Sequence, residues 1–402
     1  MADTLKRVKI VKSGLNKVLT LKDLVLFGIS SILGSGGFNL VGKGIQDGNH
    51  YFPLTLLLSG ALFTGSAHSY SYANDTYKSN ISETKLIENV YGSIGKYTSS
   101  LSILLYNIFA SATILVLCSK ILFPNTSWWK QVSFSLLLLS IMTFAAFQQL
   151  DLNKEVINIV SLAIILLLGS ASFLGISHLT QESFKMPSFP SLNKINLYES
   201  LLYFFFVLAG HDALIKFSEE AKEQNDIGRS MYISIGISVL LVSGLCLAAL
   251  TYIKDFKVSN VDDIVADIFE KIFNKDVGKY VSYFAIFCMF VSTFVGFLAT
   301  IRYTYALPEK IPFLKFIREG GDGRVSHISI LIIGALCAFA ILINQTTSLV
   351  ELSDMALIIT LLLVSSSAFY ERFQKGVMPI TDGLTSGGLL GILGLTIQKH
   401  FL

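Results

Sequence analysis

The residues best suited to chemistry in this chain follow an unbroken apolar run. Residues 202–212 read LYFFFVLAGHD, so that Asp212 and His211 close a stretch that otherwise carries no charge. A carboxylate at hydrocarbon depth is costly, and such acids usually face a cavity, a partner or a substrate path. Asp212 is therefore a candidate for carrying a coupling proton, and His211 for tuning its occupancy. The alternatives are an acid paired with a neighbouring helix and a histidine bonded to a backbone carbonyl.

Composition predicts that these residues lie in a membrane. Of the 402 residues, 52% are hydrophobic and only 15% are charged, and the mean hydropathy is +0.61. Soluble domains carry roughly a quarter charged residues. Ten apolar runs predict membrane-spanning helices, and an eleventh run, 383–398, is shorter and rich in glycine, so its crossing stays open. The ten runs are 24–42, 51–74, 97–119, 131–150, 156–177, 200–215, 230–253, 280–301, 325–350 and 355–370.

The distribution of charge predicts orientation and domain organisation. When the predicted helices alternate in direction, most lysines and arginines fall on the side of the N-terminus, which predicts a cytoplasmic N-terminus. We expect a basic amphipathic cytoplasmic segment over 1–22, a ten-span transporter core over 23–375 and a short C-terminal region over 376–402. The predicted location is the plasma membrane, as a multi-pass protein.

Two interruptions predict the architecture. Gly34, Gly36 and Gly37 fall in the middle of the first span, and Gly210 lies near the end of the sixth. Glycine destabilises a helix by about 1 kcal/mol per residue, so both places favour local unwinding. Five spans followed by five more, each set opening on a broken helix, is the pattern of an inverted-repeat transporter. We therefore predict an all-α integral membrane fold with a ten-helix core of two five-helix inverted repeats, broken in helices 1 and 6.

Peptide groups at the two breaks define a substrate class. The first break offers N–H groups and a positive dipole end, which suit an anionic group. The second offers carbonyl oxygens, which suit an ammonium group. A zwitterionic amino acid matches both.

Four stretches resemble the amino acid–polyamine–organocation permeases. Residues 19–38 are similar to the first span of that family with its Gly-Ser-Gly-Ile-Phe motif, and residues 210–230 to its sixth span and the acidic segment after it. Residues 91–96 resemble the entry to the third span, and 302–312 the stretch that closes the eighth. The resemblance implies secondary active transport of amino acids or related amines.

The resemblance also implies which residues bind substrate. It assigns the substrate carboxylate to the backbone around Ser35, Gly36 and Gly37. It assigns the amine to carbonyls near Phe206 and Ala209, beside Gly210. The positions of Phe206 and Phe294 in spans 6 and 8 imply aromatic gates.

Ser292 and Thr293, in the eighth span, are candidates for binding sodium together with carbonyls of the first span. Hydroxyls in membrane helices also bond their own backbone or a neighbouring helix, which is the alternative. We expect no cofactor, no metal site and no nucleic-acid partner. The outer loop at 120–130 has no cysteine, so no disulfide-linked heavy chain is expected.

The leading hypothesis is a secondary transporter of amino acids that works by alternating access and is coupled to protons or to exchange. A membrane sensor that binds amino acids without moving them is the alternative. An intramembrane hydrolase built from Ser35, His211 and Asp212 is a third class, but the sequence around Ser35 lacks the GxSxG pattern.

Overall fold

The computed structural model describes residues 15–34, 36–123, 126–148, 150–177, 196–250, 263–318, 324–343 and 346–401. Within these ranges every regular element is helical, which agrees with the all-α prediction. Most of the predicted basic segment 1–22, and Ser35, lie outside them.

The α-helices vary from one turn to eleven. They are α1 (Leu21–Leu33), α2 (Gly36–Asn39), α3 (Val41–Gly48), α4 (Phe52–Tyr77), α5 (Ser82–Leu122), α6 (Trp128–Ala146), α7 (Leu150–Ser177), α8 (Leu197–Val207), α9 (Asn225–Leu250), α10 (Ile264–Ile272), α11 (Lys275–Ala306), α12 (His327–Ile343), α13 (Thr346–Gln374) and α14 (Ile380–Phe401). Short 3-10 turns occupy Asn49–Tyr51, Leu307–Glu309 and Pro312–Arg318, and a longer 3-10 segment occupies His211–Glu220.

Eight helical stretches of the described chain are long and apolar enough to cross a membrane, including α14. Three predicted spans are absent from that set. The first is interrupted, α12 has only 17 residues, and α4, although 26 residues long, contains many polar residues. The predicted span 325–350 is wrong at its end: α12 stops at Ile343 and α13 already begins at Thr346. Large apolar side chains such as Leu166, Phe173 and Leu240 are exposed on the outside of the bundle, as a multi-pass membrane protein requires.

The entry to α1 is fixed by a capping box. The Asp23 carboxylate accepts from the Thr20 backbone N–H at 2.9 Å, and Asp23 N–H donates to the Thr20 hydroxyl at 3.4 Å. Asn158 on α7 donates to the second Asp23 oxygen at 2.7 Å. Residues 15–20 are not helical. Their backbone is instead bonded to another part of the chain, beginning with a bridge between Leu19 and Ala221.

Both predicted helix breaks are confirmed. α1 stops at Leu33, and the chain resumes helical geometry at Gly36. α8 stops at Val207, and the 3-10 segment begins at His211. At the second break Gly210 has a φ of +119°, a backbone conformation that favours glycine.

The two breaks lie directly against each other. A Cβ atom on Gly36 would be 2.6 Å from the Val207 Cα, and a Cβ atom on Gly210 would be 2.6 Å from the Ser31 carbonyl oxygen. Each glycine therefore allows the opposite backbone to approach more closely than any side chain would permit. The two interruptions form one structural unit in the middle of the bundle.

The remaining helices enclose this unit. α1 packs against α7, α9, α11 and the 3-10 segment. α5 packs along α13 and also contacts α11 and α12. α5 changes direction at Gly92, whose φ is +62°, so the N-terminal turns of α5 form a separate arm. This arrangement leaves a cavity between the breaks, α5, α11 and α13.

Candidate functional site

A cavity of about 540 Å³ opens between the two helix breaks. The first break contributes Ser31 and Gly36, and the second contributes Phe206, Ala209 and Gly210. A volume of this size lies in the range of small-molecule sites. Ala209 lines the cavity and no described N–H group donates to its carbonyl, so this acceptor remains available to a guest.

One face of α5 forms the opposite wall. Asn107 and Ser111 are spaced by one helical turn and both line the cavity, together with Tyr106, Ala110 and Ile114. Asn107 donates to the Ile103 carbonyl at 2.8 Å. Ser111 is only 4% exposed and its side chain lies at the cavity wall. A hydroxyl in this position is suited to bind a ligand.

Acidic side chains of α13 extend the cavity away from the breaks. Glu351 and Asp354 are spaced by three residues, which places them on one face of the helix, and both line the cavity. Glu199 lines it as well, as do Lys43 and Lys120. No described side chain forms a hydrogen bond or an ion pair with Asp354. The α13 wall is therefore a place where a cationic group could be neutralised.

Several residues predicted from the sequence meet in this cavity. Gly36, Phe206, Ala209 and Gly210 line it, as do Ser292 and Thr293 of α11. Two others do not. Gly37 faces Leu33 and Leu168, and Phe294 is buried in the hydrophobic core. Ser35 lies outside the described residues.

The hydroxyls considered for sodium are engaged with backbone carbonyls. Ser292 donates to the Ser30 carbonyl of α1, and Thr293 donates to the Met289 carbonyl of its own helix at 2.8 Å. This is the alternative arrangement stated above, in which such hydroxyls fasten helices. Ser292 thereby holds α11 against the end of α1, next to the first break.

A fully buried group of charges lies beside the cavity, and we call it the buried triad. It consists of Lys216, Asp212 and Glu83. The Lys216 ammonium is 2.7 Å from an Asp212 carboxylate oxygen and 3.6 Å from a Glu83 carboxylate oxygen. It also donates to the Asp212 backbone carbonyl at 2.9 Å. The triad connects the 3-10 segment after the second break to the arm of α5.

His211 points away from the carboxylates into an aromatic environment. Its Nε2 atom is 3.1 Å from the Ser66 hydroxyl of α4. The rings of Phe63 and Tyr70 pack edge-on against it. Its Nδ1 atom is buried without a partner among the described residues. Neither His211 nor Asp212 lines the cavity.

The far end of the 3-10 segment is held by a second ion pair. Arg302 on α11 donates from Nε and Nη2 to the two carboxylate oxygens of Glu220. The Arg302 guanidinium also lies 4.8 Å from the centre of the Phe217 ring. The Glu220 backbone carbonyl accepts from Val18 at 2.9 Å and Leu19 at 3.0 Å. This contact joins α11, the 3-10 segment and the chain before α1.

Sequence reasoning missed the α5 and α13 walls and the role of Glu83. The signals were present: Asn107 and Ser111 interrupt an apolar run one turn apart, and Glu351 and Asp354 precede another run at helical spacing. Nothing in the sequence, however, indicates that Glu83 lies near Lys216, because their contact depends on how the helices pack.

These features define a class of membrane protein with a central small-molecule cavity between two broken helices. Residues 19–395 match the family described as amino acid permease. The chain belongs to that family. A stretch of 188 residues, 46% of this chain, is 26% identical to cationic amino acid transporter 4 of Mus musculus. The match covers 29% of that relative, so this chain spans less than a third of its length.

Proposed function

We propose that this protein is a secondary transporter that moves amino acids by alternating access. The observation that carries the proposal is the cavity onto which both helix breaks open. The substrate carboxylate binds at the first break, near Ser31 and Gly36. Its ammonium group binds the Ala209 carbonyl at the second break, to which no described N–H group donates. Membership of the amino acid permease family supports this assignment.

The walls beyond the breaks favour a basic side chain on the substrate. Asp354 and Glu351 lie in the cavity, and Asn107 and Ser111 provide neutral polar groups opposite them. Burying a cation requires a partner of opposite charge. Asp354 meets this requirement, because no described residue pairs with it. The similarity to a protein named cationic amino acid transporter supports the same class of substrate.

Two other functions are less well supported. The hydrolase would require Asp212 to orient His211, but Asp212 pairs with Lys216 and His211 contacts Ser66. A sensor would use the same cavity and would differ from a transporter only in not moving the amino acid across the membrane. We also propose that the protein lies in the plasma membrane with its N-terminus in the cytoplasm. The distribution of lysine and arginine supports this orientation.

Uptake of radiolabelled amino acids into proteoliposomes tests the transport proposal. Arginine, lysine, leucine and glutamate should be compared with and without proton and sodium gradients. We expect arginine or lysine to accumulate, and counterflow to occur without any gradient. Substrate-induced stabilisation without uptake or counterflow would favour the sensor.

Replacing Asp354 by asparagine tests the basic side-chain preference. A hydrogen bond to a charged group contributes about 1.5–3 kcal/mol, so we expect arginine affinity to fall roughly ten- to hundredfold relative to leucine. The measurement is competition against labelled arginine. Asp276→Asn is the control, because Asp276 is exposed and outside the cavity. An equal loss of affinity for arginine and leucine would contradict the assigned role.

A further inference from the structure

We propose that the buried triad of Glu83, Asp212 and Lys216 is the proton-binding site that couples proton movement to substrate transport. The proposal rests on the transport function and identifies where its driving ion binds. It differs from a site on Asp212 alone, because the bound proton belongs to two carboxylates that share one lysine. Glu83, on the arm of α5, becomes a member of the site.

The charges of the triad balance only when one proton is bound. Two carboxylates and one ammonium sum to −1 when all three are ionised, and to zero when one proton is added. Lys216 and Glu83 are fully buried and Asp212 is only 2% exposed. An uncompensated charge at such a position costs several kcal/mol. The buried arrangement of these three groups therefore favours the neutral triad, with one proton on a carboxylate.

Three carboxylate oxygens of the triad have no hydrogen-bond partner among the described residues. Both Glu83 carboxylate oxygens and the Oδ1 atom of Asp212 are buried without a hydrogen bond among the described residues. Lys216 lies 3.6 Å from Glu83, beyond hydrogen-bond distance. A buried carboxylate oxygen without a hydrogen bond destabilises the folded protein. A proton bound to the carboxylate would reduce this cost. These oxygens mark the place where the proton resides.

Among the described residues around the triad, none supplies the missing positive charge. Tyr70 on α4, Tyr106 on α5 and Tyr303 on α11 interact electrostatically with the carboxylates. Tyr303 is hydrogen-bonded to Thr84 at 2.6 Å. His211 interacts with Asp212 and Lys216, but its Nε2 atom is occupied by Ser66. On the α1 side, Phe27 contacts the 3-10 segment, and its ring packs on the ring of Phe217.

Arg302 of α11 is paired with a carboxylate outside the triad. Arg302 forms two hydrogen bonds to Glu220 at the opposite end of the 3-10 segment. Lys85, two residues after Glu83, is 2.7 Å from Glu309. The net charge of the triad therefore depends on its own three groups and on the bound proton.

The triad lies close to the second break, and this position couples proton binding to substrate binding. Asp212 follows Gly210 by two residues, and Lys216 holds both the Asp212 carboxylate and its backbone carbonyl. Glu83 sits on a different element, the arm that precedes the bend at Gly92. Movement of the 3-10 segment away from this arm admits water to Glu83 and removes the cost of ionising it. The proton is then released in the conformation that opens the cavity.

The test uses the full chain in proteoliposomes with a pH-sensitive dye inside, and arginine as the added substrate. Two rates are measured for each variant: substrate-driven acidification, and counterflow of labelled arginine without a gradient. The variants are Glu83→Gln and Asp212→Asn. Glu88→Gln is the control, because Glu88 is on the same arm but partly exposed and paired with Lys96 and Lys310.

We expect the wild type and the Glu88→Gln control to acidify the lumen when arginine is added. Glu83→Gln leaves the Asp212–Lys216 pair, which is neutral without a proton. Acidification should therefore fall at least tenfold, with a much smaller loss of counterflow. Asp212→Asn should behave in the same way, because Glu83 then becomes the partner of Lys216.

The outcomes separate this inference from the transport proposal. If the wild type shows no counterflow of any amino acid, the transport proposal fails. If counterflow is present but acidification is absent in the wild type, or is retained in Glu83→Gln, the triad is not the coupling site. If Glu83→Gln does not fold, as judged by size-exclusion chromatography, Glu83→Asp supplies the test. It should retain acidification with a shifted pH dependence, and an unchanged pH profile would overturn the proposal.

Discussion

Alanine in place of Gly210 should reduce amino-acid uptake by roughly ten- to hundredfold while the protein still reaches the membrane. The backbone at this position has a φ of +119°, which an L side chain rarely adopts. Such a conformation costs a non-glycine residue about 1–3 kcal/mol. The new Cβ atom would also lie 2.6 Å from the Ser31 carbonyl oxygen of the first break. Either effect disfavours the conformation in which the two breaks meet, and a few kcal/mol shifts its population by one to two orders of magnitude.

The measurement is initial uptake in proteoliposomes, normalised to the amount of folded protein. Gly36→Ala should have a similar effect from the opposite side, because its Cβ atom would be 2.6 Å from the Val207 Cα. Gly236→Ala is the matched control: Gly236 is exposed on α9, with nothing within 4 Å of the added atom. Wild-type uptake in Gly210→Ala would show that the close approach of the breaks is not needed for transport.

The sequence was sufficient to predict features that depend on local composition. Uncharged runs of about twenty residues predict helices because the bilayer leaves the backbone no other way to pair its polar groups. The glycines at 34–37 and at 210 predict breaks for a local reason as well, the low helix propensity of glycine. The capping box that the structure shows at Thr20 and Asp23 is equally local, since it joins residues three apart.

Features that depend on tertiary packing could not be predicted. The bend at Gly92 was missed because its φ of +62° is set by the path of α5 and not by a cluster of glycines. The sequence identifies Asp212 and Lys216 as charges near an apolar run, but the third member of the triad comes from another helix. The same holds for the cavity, where Gly36, Gly210 and Asp354 become neighbours only after three elements have packed. The inverted repeat itself stays a prediction.

The Glu220–Arg302 pair gives the second large expected effect. Both side chains are almost fully buried, with exposed fractions of 5% and 3%. Removing one partner of a buried pair leaves an uncompensated charge and costs about 3–5 kcal/mol. We therefore expect Arg302→Met to lower the free energy of unfolding by that amount, measured by thermal unfolding in detergent. Glu309→Gln is the control: it removes a single ion pair with Lys85 in which the Glu309 side chain is exposed, and should cost about 0–1 kcal/mol.

A double variant distinguishes loss of the pair from loss of packing. Arg302 also covers the Phe217 ring, so Arg302→Met alone removes a charge and a packing partner together. If the unpaired Glu220 carboxylate causes most of the destabilisation, Glu220→Gln combined with Arg302→Met should recover a large part of the stability. Additive losses would instead indicate that the ion pair contributes little. Recovered stability with impaired transport would mean that the pair also sets how the 3-10 segment moves against α11. That result would follow from the geometry, since the Glu220 carbonyl holds the backbone of Val18 and Leu19 just before α1 and its break.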